Sequence, residues 1–170
     1  MNLQNQIRNI PDFPQPGVQF KDITTLLKDG KAFREAIDRL AERYRDQQID
    51  VVVGPEARGF VIGAPVAYVL GAGFAPIRKP GKLPAPTISC EYSLEYGKNT
   101  LEIHRDALGA GSRVLIADDL LATGGTTVAA IKMVEQLGGT VVGLAFLIEL
   151  SFLNGRQALN GYDIASLLQY

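Results

Sequence analysis

The chain has 170 residues, about the length of one domain, and its 46% hydrophobic against 21% charged residues exclude a disordered chain too polar to bury a core. A net charge of −1 supplies no global field to gather nucleic acid or anionic lipid. The single cysteine, Cys90, closes no intrachain disulfide, and residues 1–14 lack an apolar secretion core, so a reducing, cytoplasmic setting is expected.

In chain order, residues 1–20 carry Pro11, Pro14, Pro16 and Gly17 and are expected to form an irregular arm, lying across the main sheet or disordered. Ala32, Phe33, Ala36, Ile37, Leu40, Ala41 and Tyr44 then recur at three- and four-residue spacing, the stripe of an amphipathic helix. A β-branched run at 49–53 ends at Gly54-Pro55, and an apolar helix follows to about Leu70. Residues 59–77 carry no charge and are long enough on paper to span a bilayer. Gly63, Pro65, Gly71, Gly73 and Pro76 divide them instead into a helix, a turn and a short strand at 74–77, so no membrane association is expected.

Residues 79–104 break this rhythm. After a Pro- and Gly-rich opening, 87–93 and 100–104 look like two strands around a tip at 94–98, an antiparallel excursion. A strand is expected at 113–117, a loop at 118–124, a helix at 126–137 stopped by Gly138-Gly139, and a near-continuous apolar run at 141–148. Strand, loop and helix in repeated order, with apolar rather than alternating strands, imply an α/β fold: a central parallel sheet flanked by helices on both faces.

The chemistry concentrates at residues 114–127. An apolar strand delivers Asp118 and Asp119 to its carboxyl end, where open α/β sheets bind ligands. Small residues then open a helix. Gly124 and Gly125 let backbone N–H groups approach a ligand, Thr123, Thr126 and Thr127 add hydroxyls, and the helix N-terminus favours an anion. The pattern suits a phosphate monoester, with the two acids suited to ribose hydroxyls or to a divalent cation through water. The same residues would also serve as a plain polar helix entry. Neither a P-loop nor a dinucleotide-binding glycine signature is present. His104 has no partners at metal-ligand spacing and reads as a strand-surface residue. Cys90 reads as a small packing residue.

Residues 114–126 resemble the phosphoribosyl pyrophosphate (PRPP) motif of the type I phosphoribosyltransferases, a hydrophobic strand followed by two acids and a small-residue loop. Residues 13–23, 54–60 and 92–98 are similar to the base, pyrophosphate and hood segments of the members that act on adenine. The resemblance implies the type I phosphoribosyltransferase fold as a single domain over 1–170, with a base-contacting N-terminal arm at 1–30 and a small antiparallel hood or flexible loop at 79–104. It further implies transfer of ribose 5-phosphate from PRPP to adenine, giving AMP and pyrophosphate in purine salvage, by a cytoplasmic homodimer.

Residue by residue, the resemblance assigns Ala122, Thr123, Gly124, Gly125 and Thr126 to the 5-phosphate and Asp118 and Asp119 to the ribose. Glu56, Ala57, Arg58, Arg78 and Lys82 fall to the pyrophosphate, and Gln19, Phe20 and Lys21 to adenine. Glu95 becomes the catalytic carboxylate, and Tyr96 closes the hood. Mg²⁺ is expected to be held through PRPP and water, with no direct protein ligand. In relatives the bond corresponding to Glu56-Ala57 can be cis. Relatives often carry Arg where Lys21 stands and Ser where Ala57 stands, which shifts the expected role of Lys21 to its main chain and removes a hydroxyl at Ala57. Two other readings stay open: a transferase for 6-oxopurines, guanine-type bases or orotate, and a PRPP-sensing regulator that binds nucleic acid. The charge balance and the lack of a basic stripe speak against the second.

Overall fold

The computed structural model describes residues 1–94 and 97–170. Its N-terminal stretch is a hairpin rather than the irregular arm expected from the prolines. A 3-10 turn at Leu3–Gln6 leads into β1 (Arg8–Pro11) and β2 (Gln19–Asp22), paired antiparallel from Arg8↔Asp22 to Pro11↔Gln19. The prolines permit this because Pro11 ends its strand and Pro14, after a cis bond from Phe13, lies in the connection. Asp22 fastens the hairpin to the one-turn helix α1 (Thr24–Leu27): its carboxylate accepts from the Thr24 N–H at 2.9 Å and from Arg8 Nε at 2.9 Å. These donors, the backbone N–H foremost, hold the Asp22 pKa down at about 2.

α2 (Gly30–Glu42) starts at Asp29, whose side chain accepts from the N–H groups of Lys31 and Ala32. It buries Ala32, Ala36, Ile37, Leu40 and Ala41, the stripe its spacing predicted. β3 (Val51–Pro55), α3 (Arg58–Leu70) and β4 (Gly73–Ile77) follow, then the hairpin β5 (Thr87–Leu94) and β6 (Gly97–His104), whose register runs from Thr87↔His104 to Leu94↔Gly97. Both strands extend nearer the tip than expected. The remaining elements are β7 (Arg113–Leu121), α4 (Gly125–Gln136), β8 (Thr140–Glu149), α5 (Gly155–Ala158) and β9 (Ile164–Gln169).

The central sheet has the order β4-β3-β7-β8-β9, and all its pairings are parallel, as the element order implied. Pro76 is tolerated because β4 is an edge strand. The other edge, β9, is not among the expected strands; its short Ile-Ala-Ser-Leu-Leu-Gln sequence is interrupted by Ser166, and each of its residues is at least partly exposed. Val52, Leu115, Ala145 and Leu147 face α2 and α3, while Val53, Ile116, Leu144 and Phe146 face α4 and the buried Leu101 and Ile103 of β6. From the neighbouring strands β3 and β7 the chain leaves in opposite directions, through α3 to β4 and through α4 to β8. That switch point opens a crevice at the carboxyl ends of the two strands. Among the described residues no helix is long and apolar enough to cross a membrane.

Candidate active site at the switch point

β7 continues through the acids rather than yielding to a loop at 118, because its ladder with β8 runs on through Asp118↔Phe146 and Leu120↔Ile148 to Leu121↔Glu149. Asp118 and Asp119 are therefore fixed by the sheet itself. The Asp119 N–H donates to Asp118 Oδ1 at 2.8 Å, and Asp119, 5% exposed, pairs with Arg58 Nε at 3.1 Å. Burial pushes the Asp118 carboxyl well above the usual carboxylate range, and the adjacent Asp119 charge adds to the effect.

The loop 122–124 then turns into α4. Gly124 is the N-cap with φ +91°, a left-handed conformation that disfavours a side chain. α4 has no side-chain cap, so among the described residues no side chain accepts from the N–H groups of its first turn, which face the crevice. A cavity of about 250 Å³ lies there, lined by Pro55, Glu56 and Arg58 on one side and by residues 118–127 on the other. Main-chain N–H groups, hydroxyls and an Arg paired with one of two adjacent acids are chemically suited to an anion attached to a polyhydroxyl group.

The Glu56-Ala57 peptide is cis. Glu56 accepts from Arg78 Nε at 2.6 Å; burial opposes its ionisation, but Arg78 and a backbone N–H overcome this and hold it below its usual range. Arg78 thus reaches the cavity through Glu56. Lys82 is exposed on the following turn and is not among the cavity-lining residues.

A second, mainly apolar recess of about 480 Å³ adjoins the first and is lined by Phe13, Phe20, Ile23, Ala57, Arg58 and Val61 among others. Phe20 meets Phe13 edge-to-face at 5.2 Å, and the Arg58 guanidinium lies 5.4 Å from the Phe20 ring centroid. Arg58 therefore borders both recesses. Strand alternation turns Gln19 and Lys21 away from Phe20: Gln19 accepts from Asn9, and Lys21 donates to Asn9 while lying over the Tyr170 ring at 4.2 Å. Glu95 and Tyr96 lie outside the described residues.

Two residues that fall within the base and hood segments without a role of their own also lie at the site. Tyr92 of β5 lies against Gly125, where a Cβ would stand 3.3 Å from Tyr92 Cδ2, and its hydroxyl is 3.5 Å from Thr126 Oγ1. Phe13 contributes to the apolar recess; its only local signal was an aromatic before a proline. Among the described residues no three His, Cys, Asp or Glu side chains form a metal cage.

The family described as "Phosphoribosyl transferase domain" matches residues 24–160. The adenine phosphoribosyltransferase of Alkaliphilus metalliredigens is 64% identical over 170 residues, covering 100% of both chains. The crystal structure of adenine phosphoribosyltransferase from Thermoanaerobacter pseudethanolicus superposes with a TM-score of 0.96 at 58% identity, covering 99% of this chain and 98% of that one. The Saccharomyces cerevisiae enzyme, complexed with D-2,5-dideoxy-2,5-imino-altritol 1,6-bisphosphate and adenine, matches with a TM-score of 0.91 at 39% identity over 96% and 95% of the two chains.

Proposed function

The chain belongs to the adenine phosphoribosyltransferases of the phosphoribosyl transferase family, and from that premise we propose how its residues share the transfer of ribose 5-phosphate from PRPP to adenine, the purine-salvage reaction that yields AMP and pyrophosphate. The chain acts as one domain, with residues 1–30 serving the base and 79–104 forming the hood. The observation that carries this division is the pair of adjoining recesses, one polar and one apolar, that share Arg58.

Ala122, Thr123, Gly124, Gly125 and Thr126 hold the 5-phosphate on the uncapped start of α4. Asp118 and Asp119 take the ribose hydroxyls. Arg58 exchanges its Asp119 partner for the pyrophosphate, to which its fork is suited, while the main chain at Glu56 and Ala57 lines the path of the leaving group. Arg78 steadies Glu56, and Lys82 can swing in from its exposed turn. Asp118 and Asp119 offer hard oxygen donors, and among the described residues no cluster of three ligating side chains forms, a donor set suited to Mg²⁺ carried in on PRPP; when bound, Mg²⁺ would supply charge neutralisation for the pyrophosphate. Phe20 stacks on adenine, and the main chain of Gln19 and Lys21 meets the base edge. Glu95, on the hood, manages a purine proton as N9 attacks the anomeric carbon, and Tyr96 helps the hood exclude water.

α3 leaves Tyr68 87% exposed on its outer face, and we assign that face to a homodimer contact. Sedimentation showing a dimer, converted to monomer by Tyr68→Glu, supports this; a monomeric parent chain refutes it. A PRPP- and Mg²⁺-dependent assay over a panel of bases tests the substrate assignment. Adenine is expected to be converted to AMP in preference to hypoxanthine, guanine and orotate, and preferred use of any of those three overturns it.

A further inference from the structure

We propose that Arg156 and Glu149, acting through α5, are positioning residues that set where the phosphate loop stands. The inference rests on the reading of residues 122–126 as the 5-phosphate site. The loop has little tether of its own: Gly124 sits at a left-handed φ, and α4 lacks a side-chain cap. What lies behind it is the backbone of α5. A Cβ on Gly155 would stand 2.4 Å from the Ala122 carbonyl oxygen and 2.9 Å from Leu121 Cδ1, and a Cβ on Gly124 would stand 3.0 Å from the Gly155 carbonyl oxygen. Both ends of the loop therefore rest on one residue of α5, by direct packing with no room for a methyl group. Any displacement of Gly155 passes to Ala122 and Gly124.

The residue after Gly155 fixes that turn to the sheet. Arg156 Nε and one terminal nitrogen donate to the two Glu149 oxygens at 2.7 and 2.8 Å, a bidentate fork that fixes orientation as well as distance. Ser166 Oγ donates to the same carboxylate at 2.6 Å and accepts from Arg156 at 3.3 Å, and Gln169 Nε2 lies 3.4 Å from the carboxylate, so β9 joins the same cluster. Glu149 is 5% exposed and is the last residue of β8, opposite Leu121 in the ladder; the Leu150 N–H donates to the Leu121 carbonyl at 2.9 Å. β7, which carries the two acids, and α5, which backs the loop, are thus referenced to the same point. A charged pair as such adds little stability over an apolar one, whereas a fork gives a defined angle that a flexible apolar contact does not.

Two variants disturb this arrangement independently. Arg156→Lys keeps the charge but replaces the fork with a point donor. Gly155→Ala leaves the ion pair intact and drives a methyl group against Ala122. In both, KM for PRPP and the dissociation constant of AMP by titration calorimetry are expected to rise roughly tenfold, while kcat and KM for adenine at saturating PRPP stay within about twofold, the pattern of lost uniform binding of one substrate. Thr126→Val, within the loop, serves as the reference and is expected to weaken AMP as well. If the two α5-side variants lower the melting temperature but leave PRPP and AMP binding unchanged, or weaken both substrates alike, the pair is only structural and the inference is overturned. If Thr126→Val leaves AMP binding unchanged, the phosphate assignment itself fails, a result distinct from failure of the α5 variants alone.

Discussion

The two recesses of the site are built in opposite ways. The phosphate side stands at the ends of inner strands β3 and β7, with two adjacent acids, Asp118 half-buried and Asp119 buried, carried on the β7 strand and main-chain N–H groups at the start of α4. The base side is a peripheral two-stranded hairpin outside the central sheet, with Phe13 51% exposed and its attachment dependent on Asp22. On the proposed assignment, the part of the substrate that carries the most charge would meet main-chain donors at the ends of inner strands, which need no reorganisation, and the base would meet the Phe20 ring and the main chain of a peripheral hairpin. Among the described residues Arg58 alone lines both recesses, through Asp119 and the Phe20 ring.

The largest expected effect lies on neither side. Glu95→Gln should lower turnover by roughly 10²- to 10⁴-fold with PRPP affinity unchanged, and equal losses in a steady-state assay and a PRPP titration would remove Glu95 from the chemistry. Arg58→Met should damage both sides together, lowering kcat/KM for each substrate by about 100-fold as a charge-assisted contact is lost; an effect on only one substrate would show that the residue is not shared. Phe20→Ala should raise KM for adenine about tenfold, in keeping with stacking worth about 1–3 kcal/mol per base, and leave KM for PRPP unchanged.

The smallest effect is on stability. Asp22 is depressed in the folded chain to about 2, so its contribution is complete above the ordinary carboxylate pKa near 4 and is lost as pH falls through about 2. Discounted for the exposed Arg8 partner, it amounts to about 1 kcal/mol. Asp22→Asn should therefore lower the melting temperature at pH 7 and flatten its decline between pH 4 and 2, as followed by calorimetry; an unchanged acid slope would show that another group governs that limb.

The phosphate side was legible in the sequence because its elements are local: strand, acids, small residues and helix follow one another at 114–127, and each step has a physical reason within that window. Even there, the reach of β7 past Asp118 was hidden, since the partner that extends it, β8, lies further along the chain. The base side was less legible. The prolines obscured a hairpin whose pairing depends on Asp22 meeting Arg8 and Thr24, and the juxtaposition of Phe13, Phe20 and Arg58 is set by tertiary packing. Glu149, Arg156 and Gly155 were passed over for the same reason, because their significance lies in the loop they back.

The division of the site is tested most directly by a double-mutant cycle of Phe20→Ala and Thr126→Val, reading the Michaelis constants of adenine and PRPP in each variant. Phe20→Ala is predicted to shift adenine alone, Thr126→Val to shift PRPP alone, and the double variant to show both shifts added within about 0.5 kcal/mol. A shift of PRPP by Phe20→Ala as large as its shift of adenine would contradict the account.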